Sequence, residues 1–250
     1  MPPPKPIQAS PKTLSLLNDL HSKSQSQEHT ISMYTFWAIK LLTSLFSSAS
    51  WSQSDDDYMR DKFIALEPAK CEFIYLIARS SGARNIVEAG TSFGVSTIYL
   101  ALAAGQNAAS RLHSESGAGK YQAKVIATEK EASKAKQARQ HWRLVGDEVE
   151  PWITLLEGDL LETLPAELER TGDIDLLLLD IWIPLALPTL QLVKPRLRRG
   201  ALIITDMTGI AKKAYSDLLG YLHDPANGFK TMTTPFSGGL EVTVYLPDLE

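Results

Sequence analysis

The sequence predicts an α/β fold, in which a mostly parallel sheet is covered by helices on both faces and ends in an antiparallel hairpin. Strand and helix patterns alternate from residue 84 onward, which is typical of a parallel sheet, because each parallel strand needs a crossover connection. Residues 174–180 are apolar on both faces, as a central strand is. Residues 236–239 are too short for a crossover and therefore predict a hairpin.

Apolar spacing and turn residues predict the individual elements in chain order. Before the sheet we expect a disordered proline-rich start over 1–12, a weak helix over 13–30, a helix over 31–46, a loop over 47–57 and a helical region over 58–81. The predicted parallel strands are 84–89, 124–129, 152–157, 174–180 and 201–206, and the hairpin strands are 229–235 and 240–246. The predicted helices are 95–104, 130–144, 185–193 and 211–222, with a Gly/Ser/Ala-rich surface loop over 105–120.

Bulk properties narrow the class of protein. The 250 residues carry a net charge of −4 and a pI near 5.8, which predicts no nucleic-acid partner, because such proteins present a basic face. Cys71 is the only cysteine, so no internal disulfide can form and a reducing, cytoplasmic location is expected. Residues 31–49 could be mistaken for a membrane span, but Lys40 at their centre argues against one. No targeting signal is visible at the start.

The stretch 85–100 predicts a cofactor site. A short apolar run ends at Glu88, Gly90 and Gly94 bracket a turn, and an amphipathic helix follows. Glycines leave the backbone open to a ligand, and the N-terminus of a helix presents unpaired N–H groups to whatever occupies the crevice. This strand–turn–helix unit is typical of a nucleotide-type cofactor site.

Two observations decide between the candidate cofactors. The dinucleotide fingerprint G-x-G-x-x-G fails because Ser92 stands at its middle glycine, which argues against a nicotinamide enzyme. Acidic residues instead stand at or just after the ends of the next four strands, at Glu129, Asp159, Asp180 and Asp206. The carboxyl ends of parallel strands converge on one crevice. There Glu129 could accept both ribose hydroxyls of a nucleoside, and Asp159 could meet the adenine edge.

Five segments resemble one family. They are Val87-Glu-Ala-Gly-Thr-Ser-Phe-Gly-Val-Ser96, Glu157-Gly-Asp-Leu-Leu-Glu-Thr-Leu164, Leu177-Leu-Leu-Asp180, Leu202-Ile-Ile-Thr-Asp206 and Gly238-Gly-Leu-Glu-Val-Thr-Val-Tyr245. Together, from about residue 60 to 247, they are similar to class I S-adenosylmethionine-dependent O-methyltransferases of the catechol and caffeoyl-CoA type.

The resemblance implies a Rossmann-like fold with a seven-stranded sheet and a methyltransferase domain over 58–250. It does not cover the N-terminal extension over 1–57, which we expect to form a lid or dimer contact, because such a crevice must close to exclude water. It also implies a homodimer, a small-molecule acceptor with a hydroxyl group, and a divalent metal of the Mg²⁺ type. The implied S-adenosylmethionine contacts are Glu88, Gly90, Thr91, Ser96, Glu129, Asp159, Leu160 and Asp180. The implied metal ligands are Asp180 and Asp206.

Two positions depart from the family pattern. The asparagine that completes the family's metal site is Met207 here, and a thioether is a poor ligand for a hard cation. The lysine of the catechol branch is Ile183, although the neighbouring tryptophan is present as Trp182. The metal, and the usual means of ionising the acceptor hydroxyl, are therefore both in question.

Acid–base chemistry limits what can replace them. A phenol has a pKa of about 10 and a free aspartate about 3.9, so an ordinary aspartate is a weak base for a phenol. Two bare carboxylates side by side, however, repel until one gains a proton or a cation. We expect Asp180, alone or with Asp206, to act as the base. The candidate cations are a metal that uses Thr208 or water, Lys212, Lys213 and the cofactor's sulfonium.

Other readings of the sequence stay open. An N- or hydroxamate-methyltransferase on the same fold would need no metal, and a cofactor-binding partner subunit would need no catalysis. Four aromatic residues are candidates for a wall against a flat acceptor: Trp37, Trp51, Trp182 and Phe236. The acceptor itself cannot be named, because loops and the N-terminal extension form the acceptor pocket in this fold.

Overall fold

A computed structural model describes residues 6–28, 58, 62–112 and 123–248 of the chain. The strands are β1 (Asn85–Ala89), β2 (Lys124–Glu129), β3 (Ile153–Glu157), β4 (Ile174–Leu179), β5 (Leu197–Asp206), β6 (Phe229–Thr234) and β7 (Leu240–Tyr245). The α-helices are α1 (Pro11–Glu28), α2 (Pro68–Ser80), α3 (Val95–Leu112), α4 (Ala132–Val145), α5 (Leu160–Arg170), α6 (Ile183–Val193) and α7 (Ser216–His223). Short 3₁₀ turns cover Glu150–Trp152, Lys194–Arg196 and Pro225–Asn227.

All seven strands form one sheet in the order β3-β2-β1-β4-β5-β7-β6. The first five strands of this order, from β3 to β5, are parallel to one another, whereas β7 runs antiparallel to both β5 and β6. The predicted fold class is therefore confirmed. Strand order reverses between β1 and β4, and the crevice outside the carboxyl ends at such a switch point is where open α/β sheets bind ligands.

Each face of the sheet carries its own hydrophobic core. Neighbouring residues of a strand point to opposite faces, and Ile86 and Val87, both fully buried, accordingly belong to different clusters. Helices α1 to α4 cover the Ile86 face, and α5 to α7 cover the Val87 face. Because both faces are covered, β1 is apolar on both sides until Glu88.

The N-terminal expectations need correction. Proline-rich residues 6–10 are ordered enough to bury Ile7, and α1 already begins at Pro11, because proline suits the first turn of a helix. The weak helix predicted over 13–30 is confirmed as α1. The helical region predicted over 58–81 is wrong for 62–67, which is extended up to Pro68, since a residue before proline disfavours the helical conformation.

The predicted surface loop over 105–120 is also wrong at its start, because α3 continues to Leu112. Gly105 allows the helix to continue here, because a larger side chain would collide with the Trp152 indole. Ala108, one turn later, is buried in the core. Sequence analysis also missed α5, which contains Pro165. It placed the start of α7 too early, because residues 211–215 form turns.

Two expectations lie outside the described residues: the helix over 31–46 and the loop over 47–57. The role of the 1–57 extension as a lid or dimer contact stays a prediction. Within the described parts of the chain, no helix is long and apolar enough to span a membrane.

Gly90 provides a test of how β1 is joined to β4. Its φ is +92°, and a Cβ added there would lie 2.0 Å from the Asp180 carbonyl oxygen. We expect Gly90→Ala to lower the free energy of unfolding by roughly 2–4 kcal/mol, measured by urea denaturation. The control is Gly220→Ala in α7, where a Cβ meets nothing within 4 Å. That change should stabilise by about 0.5–1 kcal/mol. Equal effects of both changes would contradict the role of Gly90.

Candidate active site

Backbone hydrogen bonds bring the strand ends to one level at the crevice. The Asp180 N–H donates to the Ala89 carbonyl at 3.0 Å, and the Gly158 N–H donates to the Glu129 carbonyl at 3.0 Å. The turn after β1 is thus tied to the turn after β4, and the end of β2 to the turn after β3. Acidic side chains that are far apart in sequence therefore face one space.

The two glycines of the β1 turn are required by packing inside the protein. Gly90 lies against the Asp180 carbonyl, and Gly94, at φ +75°, lies against the Trp142 indole. The Trp142 N–H also donates to the Gly94 carbonyl at 3.0 Å. A side chain at either glycine would therefore move β4 or α4. The sequence predicted that these glycines let a ligand approach the backbone. Their packing explains why glycine is required whether or not a ligand binds there.

Glu88 lies fully buried beneath the turn and accepts three hydroxyl hydrogen bonds. The donors are Thr91 Oγ1 at 2.9 Å, Ser96 Oγ at 2.6 Å and Thr97 Oγ1 at 2.5 Å. Burial raises the pKa of the Glu88 carboxyl, while these three hydroxyls partly offset the rise. Thr91 and Ser96, both predicted cofactor contacts, thus hold Glu88 and connect β1 to the first turn of α3.

Glu129, at the end of β2, is tied to two backbone amides. Its carboxylate accepts from the Ser92 N–H at 2.7 Å and from the Glu131 N–H at 2.8 Å. Each carboxylate oxygen has a second lone pair, so capacity for two hydroxyl donors remains. Burial raises the pKa of Glu129, and the Glu131 amide opposes that rise. The side chain is therefore oriented in advance beside the turn.

Asp159 and Leu160 follow β3 at the start of α5. The Asp159 carboxylate is exposed and caps the helix by accepting from the Leu161 N–H at 2.9 Å. Leu160 is buried. Capping accounts for Asp159 without a ligand, and its second oxygen is not engaged in that bond. Its predicted contact with the adenine edge stays a prediction.

A small pocket lies between the β1 turn and residues 64–66. It is lined on one side by Gly90, Ser92, Ser96 and Asp180, and on the other by the 64–66 segment. Its cavity volume is about 20 Å³, far below the roughly 300–1,000 Å³ usual for sites that hold ligands of drug size. A cofactor of that size would therefore displace the segment as it entered.

The same segment is anchored to α1. The Phe63 N–H donates to the Gln27 side chain at 2.6 Å, and the Ala65 N–H donates to Ser24 Oγ at 2.9 Å. The Phe63 ring stacks on Phe93 of the turn, with centroids 4.4 Å apart. Helix α1, which belongs to the extension expected to form a lid or dimer contact, thus reaches the pocket through 62–66.

Asp180 and Asp206 form an acidic pair across the crevice. Burial raises the pKa of Asp180 to about 7, with contributions from the charges of Asp206 and Glu88. Burial also raises the pKa of Asp206, against the effect of a hydrogen bond from Lys70. Tyr215 is buried nearby, and its pKa is raised by burial and then by both aspartates. The predicted juxtaposition of the two aspartates is thus present.

Lys70 provides the positive charge beside this pair. Its Nζ lies 2.7 Å from Asp206 Oδ1 and 3.8 Å from Glu67 Oε1, and its side chain is 1% exposed. The expected candidates Lys212 and Lys213 are exposed instead. The cation of the site therefore comes from the first turn of α2.

Comparison with known families decides the class of domain. Residues 87–207 match the model of a methyltransferase domain family. The chain carries a methyltransferase domain. The match starts in β1 and ends directly after β5, so it includes every strand end that faces the crevice. A search of curated proteins finds no match.

Solved structures share the fold of this methyltransferase domain. Cofactor-bound Rv0187 from MTB is 20% identical with a TM-score of 0.59, covering 97% of this chain and 100% of that one. The O-methyltransferase TomG from Streptomyces achromogenes, in complex with SAM, is 19% identical with a TM-score of 0.60, covering 83% and 95%. An O-methyltransferase from Bacillus cereus, in complex with SAH, is 16% identical with a TM-score of 0.55, covering 92% and 99%. Shared fold and family match together confirm the prediction of an S-adenosylmethionine-dependent methyltransferase resembling O-methyltransferases.

The residues of this methyltransferase do not fit the predicted divalent metal. Met207 has a φ of +62°, and its sulfur packs against Gly238. Asp206 already has an ammonium group as its partner. Among the described residues there is no cluster of three or more Asp, Glu, His or Cys side chains that could hold a metal. Thr208 has a buried hydroxyl without a hydrogen-bond partner in the described chain, and it remains as a neutral oxygen donor on this turn.

Sequence analysis missed Lys70, although a signal was present. Lys70 shares a helical face with Ile74 and Ala78, all buried, and a lysine within an apolar stripe is unusual. Lys70 precedes Asp206 by 136 residues, so local spacing does not indicate that the two charges meet. Tyr215 carried no comparable signal, since its approach to the aspartates depends on the turns of 211–215.

The predicted aromatic wall is only partly described. Trp182 is 44% exposed beside Asp180, where it could contact an acceptor. Phe236 instead packs on Phe73, with centroids 5.2 Å apart. Trp37 and Trp51 lie outside the described residues.

The hydroxyl cluster around Glu88 predicts a stability effect. Thr97→Val should lower the free energy of unfolding by about 1–3 kcal/mol, because a buried carboxylate loses a donor. The matched control is Thr189→Val, equally buried, whose hydroxyl only donates to the Leu185 carbonyl one turn earlier. That change should cost less than about 1 kcal/mol. Urea denaturation at neutral pH measures both, and equal costs would contradict the cluster.

Proposed function

We propose that this methyltransferase moves the methyl group of S-adenosylmethionine to a hydroxyl of a small-molecule acceptor, with Asp180 as the base. The observation that carries the proposal is the position of Asp180 at the end of β4, where it lines the pocket beside Gly90. Its pKa of about 7 is close to that of an effective base at neutral pH. Solved structures with this fold include O-methyltransferases.

The crevice offers complementary groups for the cofactor. Glu129 is held beside the turn with free lone pairs for the ribose hydroxyls. The second oxygen of Asp159 and the apolar side chain of Leu160 would flank the adenine. The buried carboxylates of Glu88 and Asp180 supply negative charge near the cationic sulfonium and amino groups. Two solved structures with this fold hold SAM or SAH.

Methyl transfer is an in-line displacement. The acceptor oxygen forms a bond to the methyl carbon while the carbon–sulfur bond breaks, and the hydroxyl proton passes to a carboxylate oxygen of Asp180. Alignment and exclusion of water supply most of the rate in such a step. The 64–66 segment, anchored to α1, would close over the turn and exclude water.

The acceptor side of the crevice is apolar. Trp182 after β4 and Ile210 after β5 are 44% and 71% exposed, on the two turns that carry Asp180 and Asp206. Exposed apolar side chains near a polar crevice favour a flat, apolar acceptor body with a single polar group to be methylated. A homodimer and a cytoplasmic location remain proposals drawn from the family resemblance and the composition.

A metal-free N- or hydroxamate-methyltransferase is the second candidate. It is favoured by the poor fit of the Asp206–Met207 position to a divalent ion. An acceptor with a lone pair or a lower pKa needs less ionisation than a phenol does. The proton released would still pass to Asp180.

A panel assay tests the acceptor class. Labelled S-adenosylmethionine is offered with phenols, hydroxamates, amines and carboxylic acids, with and without EDTA. We expect label on the phenols. Asp180→Asn should abolish transfer, whereas SAH should still bind, as measured by calorimetry, because the other cofactor contacts remain. Label only on amines or hydroxamates would replace the proposal with the second candidate, and full activity of Asp180→Asn would remove Asp180 as the base.

The pH profile gives an independent measurement. Because the base must be ionised, kcat should rise with pH and level off above about pH 7. Burial raises the pKa of Asp180, so the folded protein favours its protonated form. The contribution of Asp180 to the free energy of unfolding is therefore fully present below the pKa of the unfolded chain and is lost as pH rises through about 7. The Asp180→Asn variant should show a smaller decline, because only the raised pKa values of Glu88, Glu129 and Asp206 then contribute to it. A decline that persists unchanged in the variant would contradict this assignment.

Cofactor binding is tested at Glu129. Glu129→Gln should weaken SAH binding by roughly 10- to 100-fold, because charge-assisted hydrogen bonds to the ribose are lost. The matched control is Glu157→Gln on the neighbouring strand, paired in register with Glu129 but exposed and bonded to Arg139. The control should change the affinity less than about twofold. Calorimetry with SAH measures both, and equal losses would argue against ribose binding by Glu129.

A further inference from the structure

Lys70 occupies an unfavourable position for a lysine. It stands in the first turn of α2, two residues after Pro68, with its side chain 1% exposed. The N-terminus of a helix carries partial positive charge and disfavours a cation. Removal of an ammonium group from water costs several kcal/mol more. A compensating negative charge is therefore required for Lys70 to stay there.

Asp206 provides that charge at the end of β5. The Lys70 Nζ–Asp206 Oδ1 distance is 2.7 Å, and the Glu67 carboxylate at 3.8 Å is beyond hydrogen-bond range. Among the described residues, Asp206 is the one hydrogen-bond acceptor recorded for an ammonium group that has three donors. The other two N–H groups of the ammonium have no acceptor among the described contacts. The Lys70 charge also acts on Asp180.

Stability does not account for this pair. Replacement of a buried ion pair by apolar residues is often neutral or stabilising, whereas removal of one partner is strongly destabilising. The pair lies at the carboxyl ends of the strands, in the crevice of a methyltransferase domain. Its position therefore favours a role in the crevice.

The oxygen atoms around Asp206 do not favour a divalent ion. Met207 turns its sulfur to Gly238, which leaves Asp180 and Asp206 as the charged oxygen donors. A divalent ion between them would place two positive charges beside the Lys70 ammonium. Like charges at such a distance repel strongly where the dielectric is low.

We propose that the Lys70 ammonium is the resident cation of the Asp180–Asp206 pair and takes the place of a divalent metal. Lys70 is a positioning residue: it holds Asp206 in one orientation and excludes the metal. It keeps a positive charge near the acceptor oxygen. The inference rests on the proposed function for the identity of the acceptor, but its metal-binding side can be measured without any acceptor.

Direct binding of Mn²⁺ is the first test. Electron paramagnetic resonance of the full-length protein, with Mn²⁺ at increasing concentration, should show no stoichiometric site in the wild type. Lys70→Met removes the charge at similar length and should create one site per chain. A stoichiometric site in the wild type would overturn the inference.

Met207→Asn separates the two reasons for excluding a metal. Asparagine suits the left-handed backbone at this position and restores the family's ligand, while Lys70 stays. We expect no Mn²⁺ site in Met207→Asn, and a tighter site in the double variant than in Lys70→Met. A site in Met207→Asn alone would show that the missing ligand, and not Lys70, excludes the metal, and would overturn the inference.

Thr208→Val completes the set, because Thr208 is the remaining oxygen donor of this turn that could replace asparagine. Any Mn²⁺ signal in the wild type that disappears in Thr208→Val would identify a metal site built on that hydroxyl. That result would also overturn the inference. These measurements on the wild type, Met207→Asn and Thr208→Val stand even if Lys70→Met fails to fold.

Activity supplies the second readout. Wild-type transfer should change less than about twofold with EDTA or added Mg²⁺. Lys70→Met should lose on the order of 10- to 100-fold in kcat, and Mg²⁺ should restore part of that loss. Lys70→Arg should retain more activity than Lys70→Met and stay insensitive to EDTA. Loss of wild-type activity with EDTA would overturn the inference.

Failure of the proposed function has a different signature. SAH calorimetry on the wild type tests the cofactor site without acceptor or metal. No SAH binding, or transfer to no hydroxyl acceptor, would end the proposed function and leave the Mn²⁺ results valid. SAH binding together with a wild-type Mn²⁺ site would end the Lys70 inference and leave the proposed function in place.

Discussion

The close contact between Gly90 and the Asp180 carbonyl is the constraint on which the site depends. It brings the turn after β1 against the turn after β4, where strand order reverses and the crevice opens. The Asp180–Ala89 backbone hydrogen bond maintains the same contact. A residue with a side chain at Gly90 would separate these turns, and with them the cofactor half of the crevice from the half that carries Asp180.

Charge balance is the second constraint on this crevice. Glu88, Glu129, Asp180 and Asp206 bring four carboxylates toward one edge of the sheet, and burial raises the pKa of each. Such an arrangement needs compensation, which hydroxyls provide for Glu88 and backbone amides for Glu129. Lys70 provides it for Asp206. Asp180 receives no hydrogen bond of this kind among the described contacts, and this difference suits it to take up a proton.

The accuracy of sequence prediction follows the range of the interactions involved. The apolar run 174–180 and the short link 236–239 indicated the sheet and its hairpin correctly, because alternation and turn length are local properties. Residues 105–112 were predicted wrongly, because the packing of Gly105 on Trp152 outweighed local composition. Residues 62–67 were predicted wrongly although Pro68, which directly follows them, is a local signal against helix. Local patterns do not report which distant side chain fills a space.

The sequence by itself determined the α/β class, the placement of acidic residues at the ends of successive strands, and the departure at Met207. These features depend on residue type and spacing along the chain. Only the tertiary structure decided what compensates Asp206. Lys70 precedes it by 136 residues, and their contact depends on the packing of α2 over the end of β5. A buried ion pair needs the fold to bring both charged side chains together away from water. That placement is a property of the folded chain.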